Sequence, residues 1–163
     1  MRHFKQVGLS AATGLAALLV CSHPASASSS TGTENERVFQ LVARQTQSRS
    51  IDVDGSSRPS QGDEFIVSGD LLLESAKVGN FGDVCTITRT APGGEVDLQC
   101  VGSLSLTPGQ ITFQGQFTTT GAGPGEVNLA ITGGTGSYRT AHGFIHAENV
   151  SNRDTRLTVH LIR

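Results

Sequence analysis

The sequence predicts an all-β protein, an eight-stranded antiparallel up-and-down β-barrel. Three observations carry that expectation. Beyond position 36 the apolar residues recur at period two, not 3.6. Turn signals interrupt them at short intervals, at "DGSSRPSQGD", "APGG", "TPGQ", "TGAGPGE", "GGTGS" and "NVSNRD". Glycine is abundant at 20 residues while aromatics are few, with no Trp, one Tyr and seven Phe. That composition suits many short strands and tight turns. About eight strands, each with one apolar face, close into a barrel and leave no exposed edge. A two-sheet sandwich is the alternative that pattern alone leaves open.

The start of the chain, "MRHFKQVGLSAATGLAALLVCSHPASASSS", stands apart from the barrel. Arg2 and Lys5 form a basic n-region, residues 7–20 an apolar h-region, and Ala25-Ser26-Ala27 a small-x-small cleavage site. The apolar run is too short and too interrupted to span a membrane. Residues 1–27 are therefore expected to be a secretory signal peptide, 28–36 a polar leader, and 37–163 the barrel domain. A lipoprotein signal with Cys21 lipidated is the rival reading, but Val20 stands where a small residue is usual. Removing residues 1–27 takes away two of the 12 basic residues and none of the 14 acidic ones, leaving 10 against 14, a net charge of −4. No basic footprint for nucleic acid remains.

The strands are expected at roughly 37–46, 64–73, 83–90, 95–106, 110–119, 126–132, 138–147 and 155–162. Turn chemistry sets two registers. If "RTAPGGEV" closes a hairpin with Thr90 opposite Glu95, Ile87 faces Leu98 and Cys85 faces Cys100. If "LTPGQI" closes one with Leu106 opposite Ile111, then Leu104 faces Phe113, Gly102 faces Gly115 and Cys100 faces Phe117. Together these put Cys85, Ile87, Val96, Leu98, Cys100, Leu104, Leu106, Ile111, Phe113 and Phe117 on one face. Thr, Ser, Gln and Asp side chains take the other. A one-residue slip would destroy that sorting. Arg89 is the exception, on the apolar face at a strand end, where it could reach solvent or line an opening. Two cysteines remain after cleavage, in a compartment where disulfides persist, so Cys85 and Cys100 are expected to be bonded across the strands. A barrel of this size is either filled by side chains or holds one small ligand. The expected pocket lining is Ile87, Leu98, Gly102, Leu104, Phe113, Gly115 and Phe117. The pair Gly102 and Gly115 reads either as a bend or as a hollow.

Other candidates are weaker. No helix follows the Gly-rich segments, so they are not dinucleotide cradles, and there is no G-x-S-x-G elbow. His142 and His146 on a regular strand lie roughly 13 Å apart. One zinc needs ligands at about 2.0–2.1 Å, so no metal site is expected and the histidines read as surface residues. Asp63, Glu64 and Asp70 read as a solvated edge or mouth, where an inner acid would be the natural general acid or base. Arg139 could brace a loop or bind an anion. Asn149-Val150-Ser151 is a glycosylation sequon in a eukaryotic secretory pathway. No catalytic residue is assigned.

The segment "LAITGGTGSYRTAHG", residues 129–143, resembles the allene oxide cyclase barrel superfamily, which includes plant allene oxide cyclases and dirigent proteins. "GDEFIVSGDLLLESAKVGNFGDVCTITR" resembles its second and third strands and "GQITFQGQF" its fifth, in the same order. The resemblance spans about 37–162. It implies an eight-stranded barrel with an apolar cavity, assembly as dimers or trimers, and a hydrophobic small molecule as partner. It also implies guided cyclisation or coupling without a cofactor, because shape and exclusion of water do most of the work. Plant cyclases carry Glu-x-Asn on the first strand. Here "FQLVARQTQ" puts Ala43 or Arg44 where that Glu would fall, which argues against the allene oxide cyclase reaction itself. The family's pocket cysteine corresponds to Cys85, and a bond to Cys100 would occupy it. Three functions follow: a secreted barrel that directs cyclisation or coupling of a hydrophobic substrate, a binding module without chemistry, and a structural cell-surface barrel filled by its own side chains.

Overall fold

The computed structural model describes residues 35–120 and 125–162. The expected signal peptide and most of the polar leader lie outside the described residues. Eight antiparallel strands follow in chain order: β1 Arg37–Ile51, β2 Glu64–Leu73, β3 Ala76–Thr90, β4 Val96–Leu106, β5 Gly109–Thr119, β6 Glu126–Gly134, β7 His142–Asn149 and β8 Asp154–Ile162. Each pairs with the next, and β8 pairs back onto β1 with Leu41 opposite Leu157. The sheet is a closed barrel, not a sandwich.

Local chemistry explains most boundaries. β1 runs five residues past its expected end because "TQSRS" is polar on both faces, so burial gives no signal there. A bulge at Thr46, between Gln45 and Gln47, bends it away from the core. β3 begins at Ala76 instead of residue 83. Its start, "AKVGNFG", has no alternation, and the preceding turn holds two non-glycine residues in left-handed backbone, Glu74 at φ 48° and Ser75 at φ 77°. Nothing in the local sequence announces that turn. Between β6 and β7 stands one 3-10 turn, Gly136–Tyr138, where the sequence suggested the start of a strand.

The β3–β4 register has Cys85 opposite Cys100 and Ile87 opposite Leu98. A bulge at Thr88 then shifts the pairing, so Thr90 meets Val96 and not Glu95. The same bulge turns Arg89 outward, where it pairs with Asp97 and, at 2.9 Å, with Glu95. The β4–β5 register differs from the expected one by two residues. The turn is only Thr107-Pro108, so Leu106 meets Gly109, Gly102 meets Phe113 and Cys100 meets Gly115. A two-residue shift keeps each side chain on its own face, so the inside/outside sorting survives while the facing pairs change.

Packing divides the barrel along its axis. At the end where β8 meets the start of β1, Leu71, Leu104, Ile111, Ile145, Val159 and Leu161 are all at most 1% exposed. Tyr138 and Ala141, from the β6–β7 connection, are buried in the same cluster and close that end. "GGTG" belongs here. Thr135 N–H donates to the Gln110 carbonyl at 2.9 Å, and Gln110 N–H donates to Thr135 Oγ1 at 3.1 Å. A side chain at Gly134 or Gly136 would strike the backbone of residues 108–110. The segment seals one end of the barrel with two backbones in contact.

Candidate functional site

The opposite half of the barrel is hollow. A cavity of about 640 Å³ opens there, within the usual size of small-molecule sites, ~300–1,000 Å³. Its apolar wall includes Phe65, Phe81, Phe113 and Phe117, with Val67, Leu98, Leu104, Val127 and Leu129. Polar groups gather at the rim: Gln45, Asn149, Ser151, Asn152, Arg153 and Thr155. The rim loop between β7 and β8 is tied down. The Arg153 carbonyl accepts from Gln45 N–H at 2.8 Å, and Val150 N–H donates to the Asp154 carbonyl at 2.9 Å. Outside, Arg44 braces the same loop through two bonds to Asp154, at 2.9 and 3.1 Å. Of the two residues expected near the place of a plant cyclase's Glu, Ala43 is a small buried part of the wall, and Arg44 is the outer brace.

Of the expected lining residues, Leu98, Leu104, Phe113 and Phe117 stand in the wall. Ile87 does not: it is buried near the mouth end in a separate cluster with Val96, Leu98 and Cys100. Gly102 and Gly115 are not opposed, and neither leaves a void. A side chain at Gly102 would meet the Phe113 ring and the Asp83 Cβ, and one at Gly115 would meet Leu129. Glycine here is a seat for its neighbour's side chain, neither a simple bend nor a hollow. Cys85 and Cys100 form a disulfide with Cα atoms 4.0 Å apart, and both line the cavity.

The one acid of the wall is Asp83, on β3 between Val67 of β2 and Gly102 of β4. Its nearest polar contact is Cys85 Sγ, 3.7 Å from Oδ2. That sulfur sits in a disulfide and has no hydrogen to donate. Among the described residues, no group donates a hydrogen bond to this carboxyl. Burial therefore acts unopposed and pushes its pKa up to about 6. Asp83 was not singled out from the sequence, although a strand that points Cys85 and Ile87 inward points residue 83 inward as well.

The acids expected at the mouth do other things. Asp63 is buried beside the β2 start, where it accepts from Val53 N–H at 3.0 Å, Ser60 N–H at 2.8 Å and Ser60 Oγ at 3.0 Å. Those bonds hold its carboxyl below the usual carboxylate range. It is a loop brace, not a solvated edge. Asp70 pairs with Lys77 on the outside at 2.7 Å. Asp52, Asp54 and Asp63 bring carboxylate oxygens within 4.8 Å of one another, but backbone amides of their own loop engage all three. The histidines are outside. His146 Nδ1 lies 3.1 Å from Asn128 Oδ1, and His160 stacks on Phe144 at 4.2 Å and lies 2.7 Å from Glu36. Arg139 is exposed at the sealed end, remote from the cavity. Asn149, of the sequon, is at the rim and accepts from Thr155 Oγ1 at 3.1 Å.

The family model for the allene oxide cyclase barrel like domain matches residues 42–161. The chain belongs to this family. No curated protein matches it in sequence. Among solved structures, a pyocyanin demethylase is similar at 26% identity and a TM-score of 0.69, over 77% of this chain and 99% of its own. An exo-specific intermolecular Diels-Alderase is similar at 16% identity and a TM-score of 0.61, over 78% and 98%. A pterocarpan synthase dirigent protein follows at 16% identity and 0.55, over 79% and 95%. The two at 16% share the barrel with this chain.

Proposed function

We propose that this protein encloses a hydrophobic small molecule in the hollow half of its barrel and directs a cyclisation or rearrangement of it outside the cell, without a cofactor. One observation carries the reading: a largely apolar cavity whose one acid among the described residues is half-buried, receives no hydrogen bond and has its pKa pushed up to about 6 by desolvation. At neutral pH such a carboxylate is a competent base, and its conjugate acid is still accessible. It can take a proton from one atom of the substrate and return it to another, so an isomerisation balances with no co-reactant. The apolar wall excludes water from charge that develops meanwhile and fixes the conformation from which the ring closes. A Diels-Alderase and a pterocarpan synthase among the similar structures support this class of reaction. The cavity speaks against a barrel filled throughout by its own side chains.

The test has two arms. Mass spectrometry of molecules that co-purify with the natively secreted protein should find one hydrophobic compound or its cyclised product. Turnover of that compound should fall about 10²–10⁴-fold in Asp83→Asn, the usual contribution of a positioned acid or base. Unchanged product yield and stereochemistry in Asp83→Asn would reduce the protein to a binding module.

A further inference from the structure

The hollow half gathers several electron-rich groups among its aliphatic side chains. Four phenylalanine rings line it, and their faces carry negative quadrupole charge. The Cys85–Cys100 disulfide adds lone pairs and no proton. Asp83 adds a carboxyl with no hydrogen-bond donor among the described residues. The only cationic side chain of the wall is Arg153, and it stands at the rim. A carboxylate partly withdrawn from water without a partner is costly unless something supplies the opposite charge. Among the described residues nothing does.

We infer that the ligand supplies it: the cavity selects a flat aromatic cation, with its charged nitrogen against Asp83 and its rings among Phe65, Phe81, Phe113 and Phe117. This rests on the reading of the cavity as a small-molecule site. The position of Asp83 fits the assignment. Its Cβ and the tip of the Phe113 ring both close over Gly102, whose missing side chain lets them approach, so the carboxyl and an aromatic side chain stand side by side in the wall. That pairing suits a cation that is also a π-system. A neutral hydrophobe would leave the carboxylate unsatisfied, and an anion would be repelled by it.

Three probes of nearly equal shape test the assignment on the full mature protein: the cation 10-methylacridinium, neutral 10-methylacridone and the anion anthracene-9-carboxylate. Fluorescence titration at pH 8 should show the cation bound at least about tenfold more tightly than the neutral probe, with the anion weakest. The preference should collapse in Asp83→Asn and persist in Arg153→Gln. It should also fade in the wild-type protein as pH drops through about 6, because Asp83 then takes a proton. The groups that face Asp83 have no titratable proton: Val67 from β2, Gly102 from β4, the Phe113 ring and the bonded Cys85. The wild-type pH profile stands even if the Asp83 variant folds poorly. Equal or better binding of the neutral or anionic probe overturns the charge assignment and leaves the cavity a ligand site. No binding of any probe overturns both.

Discussion

The two halves of this barrel share the same strands and have opposite interiors. In the sealed half, six aliphatic side chains are at most 1% exposed and a connection carrying Tyr138 fills the end. In the hollow half, larger rings stand around space, and Phe65 is 38% exposed. Among the described residues the sealed cluster is hydrophobic throughout, while the hollow half holds Asp83. Close packing fills one, while the other keeps only the smaller cluster around Ile87 and gives the rest of its interior to a volume and an acid. The difference shows how one closed sheet divides into a clamp and a receptacle without a second domain.

Substitutions should separate the halves, and the largest effects belong to the sealed one. Leu161→Ala or Ile111→Ala should cost about 2–5 kcal/mol in urea unfolding; a loss well under that would mean the sealed half is as loose as the other. Next in size is the disulfide. Cys85→Ala with Cys100→Ala should cost ~3 kcal/mol by chain entropy, for a bridge spanning 15 residues. The denatured, unreduced wild-type protein should correspondingly show no free thiol from this pair.

Asp83→Leu should act in the opposite direction. Folding raises this carboxyl from an ordinary 3.8 to about 6, so the folded state binds the proton more tightly than the unfolded one. Its favourable contribution is complete below pH 4 and is lost as pH rises through 6. Replacing it should therefore stabilise the protein by ~2–3 kcal/mol at pH 8 and by much less at pH 4. Melting curves at the two pH values check this, and a loss of stability at pH 8 would show that the acid is satisfied after all. The smallest effect is expected from Phe65→Leu, under about 1 kcal/mol because the ring is already partly exposed, while affinity for an aromatic ligand drops measurably.

The barrel and its inside/outside sorting were legible in the sequence because period two and turn chemistry are local signals. The disulfide pair was legible for the same reason, since Cys85 and Cys100 flank a hairpin. Facing pairs on β4 and β5 were less so. The turn there takes two residues, not four, and hydrophobic alternation is blind to a shift of two. Bulges at Thr46 and Thr88 were invisible, because each depends on the partner strand. Asp83 was missed because β3 was expected to begin at that residue, which made it look like a strand terminus. Pairing with both neighbours carries β3 back to Ala76, and Asp83 becomes an interior position. The acids that did attract attention, Asp63 and Asp70, are spent on a loop and on Lys77.

The contact between "GGTG" and the β4–β5 turn has a consequence for recognition. That segment is the most distinctive stretch of the chain, and it is distinctive because two backbones meet there with no room for side chains. What it encodes is a seam. A protein identified by this segment is identified by how its barrel is stitched shut, at the end remote from any guest. A seam set away from the cavity leaves the residues that line the cavity free to change without unpicking the fold.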